Sequence, residues 1–362
     1  LYISELYIDG FRNLESIYYV PVRGINVLVG NNAQGKTNFL EAIYLLSSGS
    51  SFRIGNDKDL IKFGQDRFSI RAAYNYLDKQ YSIALQYTLG KRKHITINNK
   101  KHTIFADKLV TTLFTPDDLF LIKGAPQRRR AFLDNLLKHL SVEYKTYSEN
   151  YEHLLRRRNA ILRSYPVNPA MLKAVDEVFT QTAAQVILAR LNIIKILDEI
   201  ALHFFNLLGG TELLRLKYAL SFPLPSGKVK LDSIRDSLTE NLLTVHNREL
   251  QRKTTLIGPH RDDINCYLNQ KNARIFASQG QQRNIVVALK MAEIETFNRI
   301  RGTYPILLLD EVMAELDINR RKIMLDLLQN SPFQTFLTSV DISLFSNING
   351  KIIGLEQGRL LD

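Results

Sequence analysis

The stretch Gly30-Asn31-Asn32-Ala33-Gln34-Gly35-Lys36-Thr37 restricts this chain more than any other, because it satisfies G-x-x-x-x-G-K-[ST] at every specified position. The apolar run Ile25 to Val29 leads into it, and a helix-like run from Asn38 to Leu46 leaves it. Strand, glycine loop and helix in that order make a cradle for a triphosphate. Backbone N–H groups can turn inward on phosphate oxygens, and the two glycines let the main chain curl where a Cβ would clash. The helix N-terminus adds partial positive charge. Lys36 is then expected to reach the β and γ phosphates and Thr37 to hold Mg²⁺, which makes ATP and Mg²⁺ the implied cofactors. A glycine-rich turn that carried a lysine by coincidence would not need the flanking strand and helix.

Size and charge set the frame around that loop. Single cores stop growing at roughly 250 to 300 residues, so a chain of 362 residues is expected to form two lobes. Lys and Arg total 48 against 36 Asp and Glu, an excess of +12 that favours a polyanionic partner such as nucleic acid. A membrane surface would also be attracted. No apolar run approaches the ~18 residues of a spanning helix, however, and the first residues read as neither a basic nor an apolar leader. The one cysteine, Cys266, excludes an internal disulfide and any paired-cysteine metal hook. The expected location is cytoplasmic, with no membrane partner.

The texture of the chain changes along its length. Tyr2 to Ile8 and Ser16 to Val20 alternate as short strands, and Phe68 to Tyr76, Gln80 to Thr88 and His94 to Ile97 read as an antiparallel block with turns at Leu89-Gly90 and Asn98-Asn99. From about Pro126 apolar residues recur at helical spacing, through Leu133, Leu137 and Leu140 and again through Tyr151 to Leu162. Pro166 and Pro169 interrupt, and a second helical run from Ala170 to Leu208 stops at Gly209-Gly210. At ~1.5 Å per residue such an arm is at most ~60 Å long. The expected organisation is an α/β head in two parts, residues 1–122 and 241–362, with a helical arm lobe at residues 123–240 inserted between them.

Pro305 to Leu309 followed by Asp310-Glu311 reads as a buried parallel strand ending in two carboxylates. Downstream of a phosphate loop, Asp310 is expected to orient Mg²⁺ and Glu311 to polarise the water that attacks the γ-phosphate. A core strand followed by an acidic turn is the plainer alternative. Before it lies Ser278-Gln279-Gly280-Gln281-Gln282-Arg283 at a helix start, a second place where an anion can sit. With Glu315-Leu316-Asp317 these residues resemble the signature and D-loop of ABC-type ATPases. In those proteins the signature of one subunit closes over nucleotide held by another.

Several further motifs sharpen the resemblance. Ile8-Asp9-Gly10-Phe11-Arg12-Asn13, Ser51-Phe52-Arg53, GAPQRRRAFLD at 124–134, GPHRDD at 258–263 and SQGQQR at 278–283 together look like the RecF family, bacterial recombination mediators related to SMC-like ATPase heads. The resemblance covers nearly the whole chain. It implies a P-loop ABC-type ATPase head, a mixed sheet plus an antiparallel block, that dimerises on ATP. It also implies binding to single-stranded, gapped or junction DNA, loading of recombinase with RecR, and a link to the SOS response. In such a dimer Ser278, Gln279, Gly280 and Gln281 would cap the nucleotide of the partner subunit.

Two departures bear on mechanism. ABC ATPases often carry a histidine after the strand that follows the second carboxylate, but Phe333 to Ser339 ends without one and offers Thr338, Ser339 or Asp341. Hydrolysis is therefore expected to be slow, well below ~10 s⁻¹. A Q-loop glutamine is also unassigned among Gln65, Gln80 and Gln86.

Charge placement points to DNA contacts on the arm. Between Leu121 and Arg163 there are ten basic and four acidic residues, and the triplets Arg128-Arg129-Arg130 and Arg156-Arg157-Arg158 suit phosphate oxygens. A solvated helix face with internal ion pairs is the alternative. Lys91, Arg92, Lys93, Lys100 and Lys101 form a second basic candidate. His139, His153, His203 and His246 stand singly, whereas His260 and Arg261 lie in the GPHRDD turn with their role open. Rival functions are a P-loop kinase, which needs no SQGQQ segment, and an ATPase-coupled nuclease, for which too few residues follow Glu311.

Overall fold

A computed structural model describes residues 1–53, 55–101, 109–224 and 229–361, with the Lys101 side chain outside that description. The chain runs β1 (Tyr2–Asp9), β2 (Ser16–Tyr19), β3 (Ile25–Val29), α1 (Lys36–Ser48), β4 (Arg67–Tyr76), β5 (Lys79–Thr88), β6 (His94–Ile97), β7 (Lys100–Lys101) and β8 (Thr111–Phe114). Next come α2 (Pro126–Leu140), α3 (Val142–Arg163), α4 (Pro169–Leu207), β9 (Leu214–Ala219), α5 (Leu231–Arg252), β10 (Asp263–Leu268), β11 (Lys271–Asn272), α6 (Ala273–Phe276) and α7 (Gln279–Arg301). β12 (Ile306–Asp310), α8 (Ile318–Gln329), β13 (Thr335–Ser339), β14 (Gly350–Glu356) and β15 (Arg359–Leu361) close it. Two units result, Leu1–Leu119 with Glu293–Asp362, and Phe120–Ala292.

The first unit carries two sheets on one core. One sheet has the order β15-β14-β3-β13-β12-β8, and within it only the β14–β15 pair is antiparallel. Every residue of β12 and of β13 is buried, as parallel strands covered on both faces require. Their register sets Thr338 opposite Asp310 and Ser339 opposite Val29. The phosphate loop and the two carboxylates therefore leave the sheet at the same edge, the carboxyl ends of its strands, where open α/β sheets bind ligands. The other sheet, β2-β1-β4-β5-β6-β7, is antiparallel throughout, and its three longest expected strands appear within one residue of their predicted starts. Asn98 and Asn99, both with positive φ, turn β6 into β7 as a two-residue hairpin needs. Phe39, Leu40 and Ile43 of α1 share a buried cluster with Leu6, Ile70, Leu308 and Phe336, so one hydrophobic core fixes both sheets around the helix that begins at Lys36.

The second unit is a helical arm with a small sheet, β11-β10-β9. α3 starts at Ser141, whose hydroxyl accepts from the Tyr144 N–H, and α4 starts at Asn168, whose side chain accepts from the Met171 N–H with Pro169 at the first helical position. Sequence pattern sets the arm lobe at residues 123–240, but the unit runs on to Ala292. The reason is local: α5 passes straight through residue 240, and β10 completes its ladder on β9. Ser278 to Gln281 consequently belong to the arm unit, whereas the phosphate loop and Asp310 belong to the first.

Candidate functional site

Two glycines shape the loop after β3. A Cβ at Gly30 would stand 2.3 Å from the Leu355 carbonyl oxygen, and Gly35, at φ +113°, would bring one to 2.7 Å from Asn13 Oδ1. Neither position admits a side chain without a shift of backbone or neighbour. The loop is further pinned from outside. Asn13 Nδ2 donates to the Ala33 carbonyl at 3.3 Å while its Oδ1 accepts from Asn38 Nδ2 at 2.8 Å. Gln34 accepts the Gln357 N–H on its side chain at 2.6 Å and the Gly358 N–H on its carbonyl at 3.0 Å. Asn31 and Asn32 complete the curl between Gly30 and Ala33. A cradle held at both ends suits a ligand whose charge it must meet without reorganising.

Lys36 and Thr37 sit at the start of α1. Lys36 is buried, and Nζ donates to the carbonyls of Gly30 at 2.9 Å and Asn31 at 3.0 Å while lying 3.1 Å from Glu311 Oε1. Thr37 Oγ1 donates to Asp310 Oδ1 at 2.9 Å, and Thr338 Oγ1 donates to the same oxygen at 2.9 Å. Thr338 Oγ1 also accepts the Glu311 N–H at 2.9 Å. Thr338, inside β13, thus ties the two carboxylate residues together through its hydroxyl, and the strand ends at Ser339 with Asp341 two residues on. Glu311 takes a left-handed backbone, φ +55°, uncommon for a residue with a Cβ. That turn aims its side chain back toward Lys36.

Asp310 titrates upward. Burial raises its pKa first, and the neighbouring Glu311 carboxylate adds to that, against the hydroxyls of Thr37 and Thr338 and the charge of Arg53, which pull it down. Arg53, in the Ser-Phe-Arg segment, donates to Asn38 Oδ1 at 2.8 Å and stands 3.8 Å from Glu41, which is itself held by Nε and Nη2 of Arg12. Sequence reasoning missed Asn13 and Arg53 as parts of this site. Their only signal is their place in the motifs Gly10 to Asn13 and Ser51 to Arg53.

The site has the groups that ATP and Mg²⁺ require. Thr37 Oγ1 and Asp310 Oδ1 converge on one point, and a Mg²⁺ ion held there would neutralise phosphate charge. Among the described residues no cluster of three or more His, Cys, Asp or Glu could hold a metal by itself. None of Gln65, Gln80 and Gln86 lies on the parallel sheet. Gln65 is in the turn before β4, and the other two are on β5 in the antiparallel sheet.

The Ser278 segment is held by its own hydrogen bonds. Its hydroxyl accepts the Gln281 N–H at 3.2 Å, and Gln281 Oε1 accepts the Ser278 N–H at 2.8 Å, a reciprocal cap at the start of α7. The Gln281 amide nitrogen is taken by Glu212. Of the four expected lid residues Ser278 and Gln279 are exposed, Gly280 and Gln281 are half-buried, and Ser278 and Gln281 form the cap.

The arginine triplets divide. Arg129 is buried, paired with both oxygens of Asp263 at 2.8 and 2.9 Å and bonded to the carbonyls of Leu121, Ile122 and Gly124. Arg158 is buried against Asp176 at 2.6 Å, Glu249 at 2.7 Å and Thr255 at 3.0 Å. Both were expected at DNA. Their donors are spent on carboxylates and carbonyls, and freeing either would leave a buried charge unpaired. Arg130 is half-buried and donates to the Asp262 carbonyl at 2.7 Å. Arg128, Arg156 and Arg157 are exposed. On the second candidate, Lys91, Arg92 and Lys100 are exposed while Lys93 pairs with Asp57 at 2.7 Å.

The GPHRDD turn is largely structural. Asp262 accepts from Tyr218 and the Ser221 N–H, both at 2.8 Å, and His260 lies 2.6 Å from the Tyr151 hydroxyl. Burial pulls the His260 pKa down to about 4, with the nearby guanidiniums of Arg261, Arg130 and Arg158 acting the same way against a bond to the Thr255 carbonyl, so it is neutral at pH 7. Arg261 alone in the turn points outward.

Comparison with known proteins follows the same lines. The family description RecF/RecN/SMC N terminal domain matches residues 2–359. A DNA replication and repair protein RecF of Symbiobacterium thermophilum is 37% identical over 348 residues, 94% of this chain and 92% of that protein. Its counterpart in Streptococcus uberis is 37% identical over 358 residues, 97% and 96% of the two chains. Among solved structures, the recombination mediator protein RecF-ATPrS of the RecFOR pathway superposes with a TM-score of 0.91 at 32% identity, covering 99% of this chain and 97% of that one. An Smc head bound to the C-winged helix domain of ScpA gives 0.57 at 18% identity over 99% and 96%, a likeness of fold alone.

Proposed function

The chain belongs to the RecF family of DNA replication and repair proteins, and from that premise we propose that it binds ATP, dimerises around it and thereby engages DNA. Its fold is the head of an ABC-type ATPase. The observation that carries the reading is the convergence of the Thr37 and Thr338 hydroxyls on one carboxylate oxygen of Asp310, with Lys36 and Glu311 paired beside it. Thr37 and Asp310 hold Mg²⁺ with the triphosphate, whose β and γ phosphates take the Lys36 ammonium. Glu311 orients and deprotonates the attacking water. Solved relatives named RecF-ATP and RecF-ATPrS support ATP as the nucleotide.

Hydrolysis is slow and DNA-dependent in this reading, because the end of β13 offers Thr338, Ser339 and Asp341 but no histidine to take a proton. ATP then works mainly as a ligand shared by two subunits, with Ser278, Gln279 and Gly280 of one capping the γ-phosphate of the other. Exposed Arg128, Arg156 and Arg157 make sequence-independent phosphate contacts. RecR is the proposed partner in loading recombinase, on the strength of the RecFOR pathway to which the matched structures belong. A link to the SOS response follows from the same role.

The test is DNA binding across a salt series, with and without ATP and Mg²⁺, for the parent and for Lys36→Ala, alongside sedimentation. The parent is expected to dimerise and bind DNA with ATP, and the variant to lose both. A variant that binds DNA like the parent, or a parent that stays a single subunit at saturating nucleotide, overturns the reading.

A further inference from the structure

The first turn of α7 is tied to the connection between α4 and β9. Gln281 Nε2 donates to one carboxylate oxygen of Glu212, and Asn284 Nδ2 donates to the Leu208 carbonyl at 3.4 Å. Glu212 is half-buried, and its other oxygen accepts the Thr211 N–H at 3.3 Å. The connection that carries it has little freedom. Gly210 donates its N–H to the Phe205 carbonyl at 2.9 Å, and a Cβ on Gly210 would stand 2.2 Å from the ring of the fully buried Phe205. On the other side the Leu213 N–H is accepted by Asn269 Oδ1 at 2.9 Å, and the Leu213 carbonyl accepts the Asn269 N–H at 3.1 Å. Glu212 thus meets α7 from a segment fixed at both ends.

A carboxylate only accepts hydrogen bonds, so the end of Gln281 that faces Glu212 must be the amide nitrogen. The amide oxygen is thereby committed to the Ser278 N–H, at 2.8 Å. Were the carboxylate removed, nothing in that pair would stop the amide from turning over and setting donor against donor. The Ser278 hydroxyl in turn accepts the Gln281 N–H at 3.2 Å, which directs its own proton elsewhere. One chain of bonds therefore runs from Glu212 through Gln281 to Ser278. With the Ser278 and Gln281 N–H groups engaged, the helix start offers an anion the Ser278 O–H and the N–H groups of Gln279 and Gly280, for which the first turn of a helix has no internal acceptor.

We infer that Glu212 is a positioning residue of the nucleotide lid, acting through Gln281 to hold the Ser278 hydroxyl and the Gln279 and Gly280 N–H groups in the arrangement that meets a γ-phosphate carried by a second copy of the chain. It touches no nucleotide itself. Both of its oxygens accept from neutral donors, the Gln281 amide and the Thr211 N–H, and the charge on the acceptor makes such bonds stronger than neutral ones. A neutral acceptor in the same place would hold the amide less firmly and would not dictate which end of it faces Ser278. The inference rests on the reading of Ser278 to Gly280 as a lid over the partner's nucleotide, and it names the residue that sets the geometry of that lid.

Three measurements test it on the full chain: sedimentation with ATP and Mg²⁺ over a range of protein concentration, binding of a fluorescent ATP analogue at concentrations where the chain is a monomer, and thermal melts without nucleotide. Glu212→Ala is expected to weaken the ATP-dependent dimer about tenfold, the loss of one charge-assisted hydrogen bond. The monomer's affinity for the analogue and the thermal midpoint should stay as in the parent. Glu212→Gln keeps a neutral acceptor and should recover part of the loss. Gln281→Ala should weaken the dimer as much as Glu212→Ala, and the double variant no more than either, because both break one chain of bonds. A Glu212→Ala dimer as tight as the parent's, losses that add in the double variant, or a loss matched by a fall in the thermal midpoint overturns the positioning role while leaving the ATP dimer standing. A parent that stays a single subunit with ATP and Mg²⁺ overturns the lid reading and this inference together.

Discussion

Lys36 Nζ lies 3.1 Å from Glu311 Oε1, so the cation of the phosphate loop and the carboxylate at the end of β12 are an ion pair. A triphosphate in the cradle must compete with that carboxylate for the ammonium. Glu311→Gln removes the competitor and the base together. Phosphate release is expected to fall about 10²- to 10⁴-fold, while ATP-driven dimers accumulate in sedimentation. Loss of nucleotide binding in this variant would show that Glu311 supports the cradle rather than the chemistry.

Asp310 gives a pH signature. Burial holds its pKa above the ordinary carboxylate value, so ionising it costs stability in the folded state. A raised carboxyl pKa favours folding below the unfolded value of about 3.9, and that advantage is lost as pH rises through the folded pKa. Asp310→Asn, which can still accept from Thr37 and Thr338, is therefore expected to melt a few degrees higher at neutral pH. The gap should close as the medium is acidified, and hydrolysis should be abolished throughout. Thermal melts from pH 4 to 8 measure it, and a gap that widens toward acid would reverse the assignment.

Neighbouring arginines should behave oppositely. Arg158 is 0% exposed and holds Asp176 and Glu249, so Arg158→Ala should cost about 3 to 5 kcal/mol in urea unfolding because it strands a buried carboxylate. Arg157→Ala should leave the unfolding midpoint alone. It should instead weaken DNA binding uniformly across sequences and flatten the salt slope by about one unit.

Ser278 separates nucleotide binding from pairing. It is exposed at the start of α7 and, among the described residues, bonded within its own segment to Gln281 and Gln282. Ser278→Arg should leave ATP binding by the single chain intact and abolish the ATP-dependent dimer. Sedimentation with nucleotide and Mg²⁺ reads the outcome, and a dimer that survives would remove Ser278 from the proposed interface.

Much of the nucleotide machinery was readable because it is local. Gly30 to Thr37 carries its own strand and helix, and Ile306 to Asp310 is apolar at successive positions, which a strand buried on both faces demands. The antiparallel block was equally plain, since alternation with period two and paired asparagines at the turns are short-range signals. Less was legible where partners come from far along the chain. That Thr338 bridges Asp310 and Glu311 follows from β13 lying beside β12, a register that no neighbouring residue announces.

The charge runs show the same division. By itself the order of residues determined that this is a phosphate-loop α/β protein with an inserted helical arm and a cationic excess, because periodicity, glycine spacing and net charge are properties of the chain. Only the tertiary structure decided which arginines are available. Arg157 and Arg158 are adjacent and chemically identical, yet successive helix positions point about 100° apart, and Asp176 and Glu249 arrive on one side alone. Burial and ion pairing are set by what folds against a residue, and distant segments of the chain supply that.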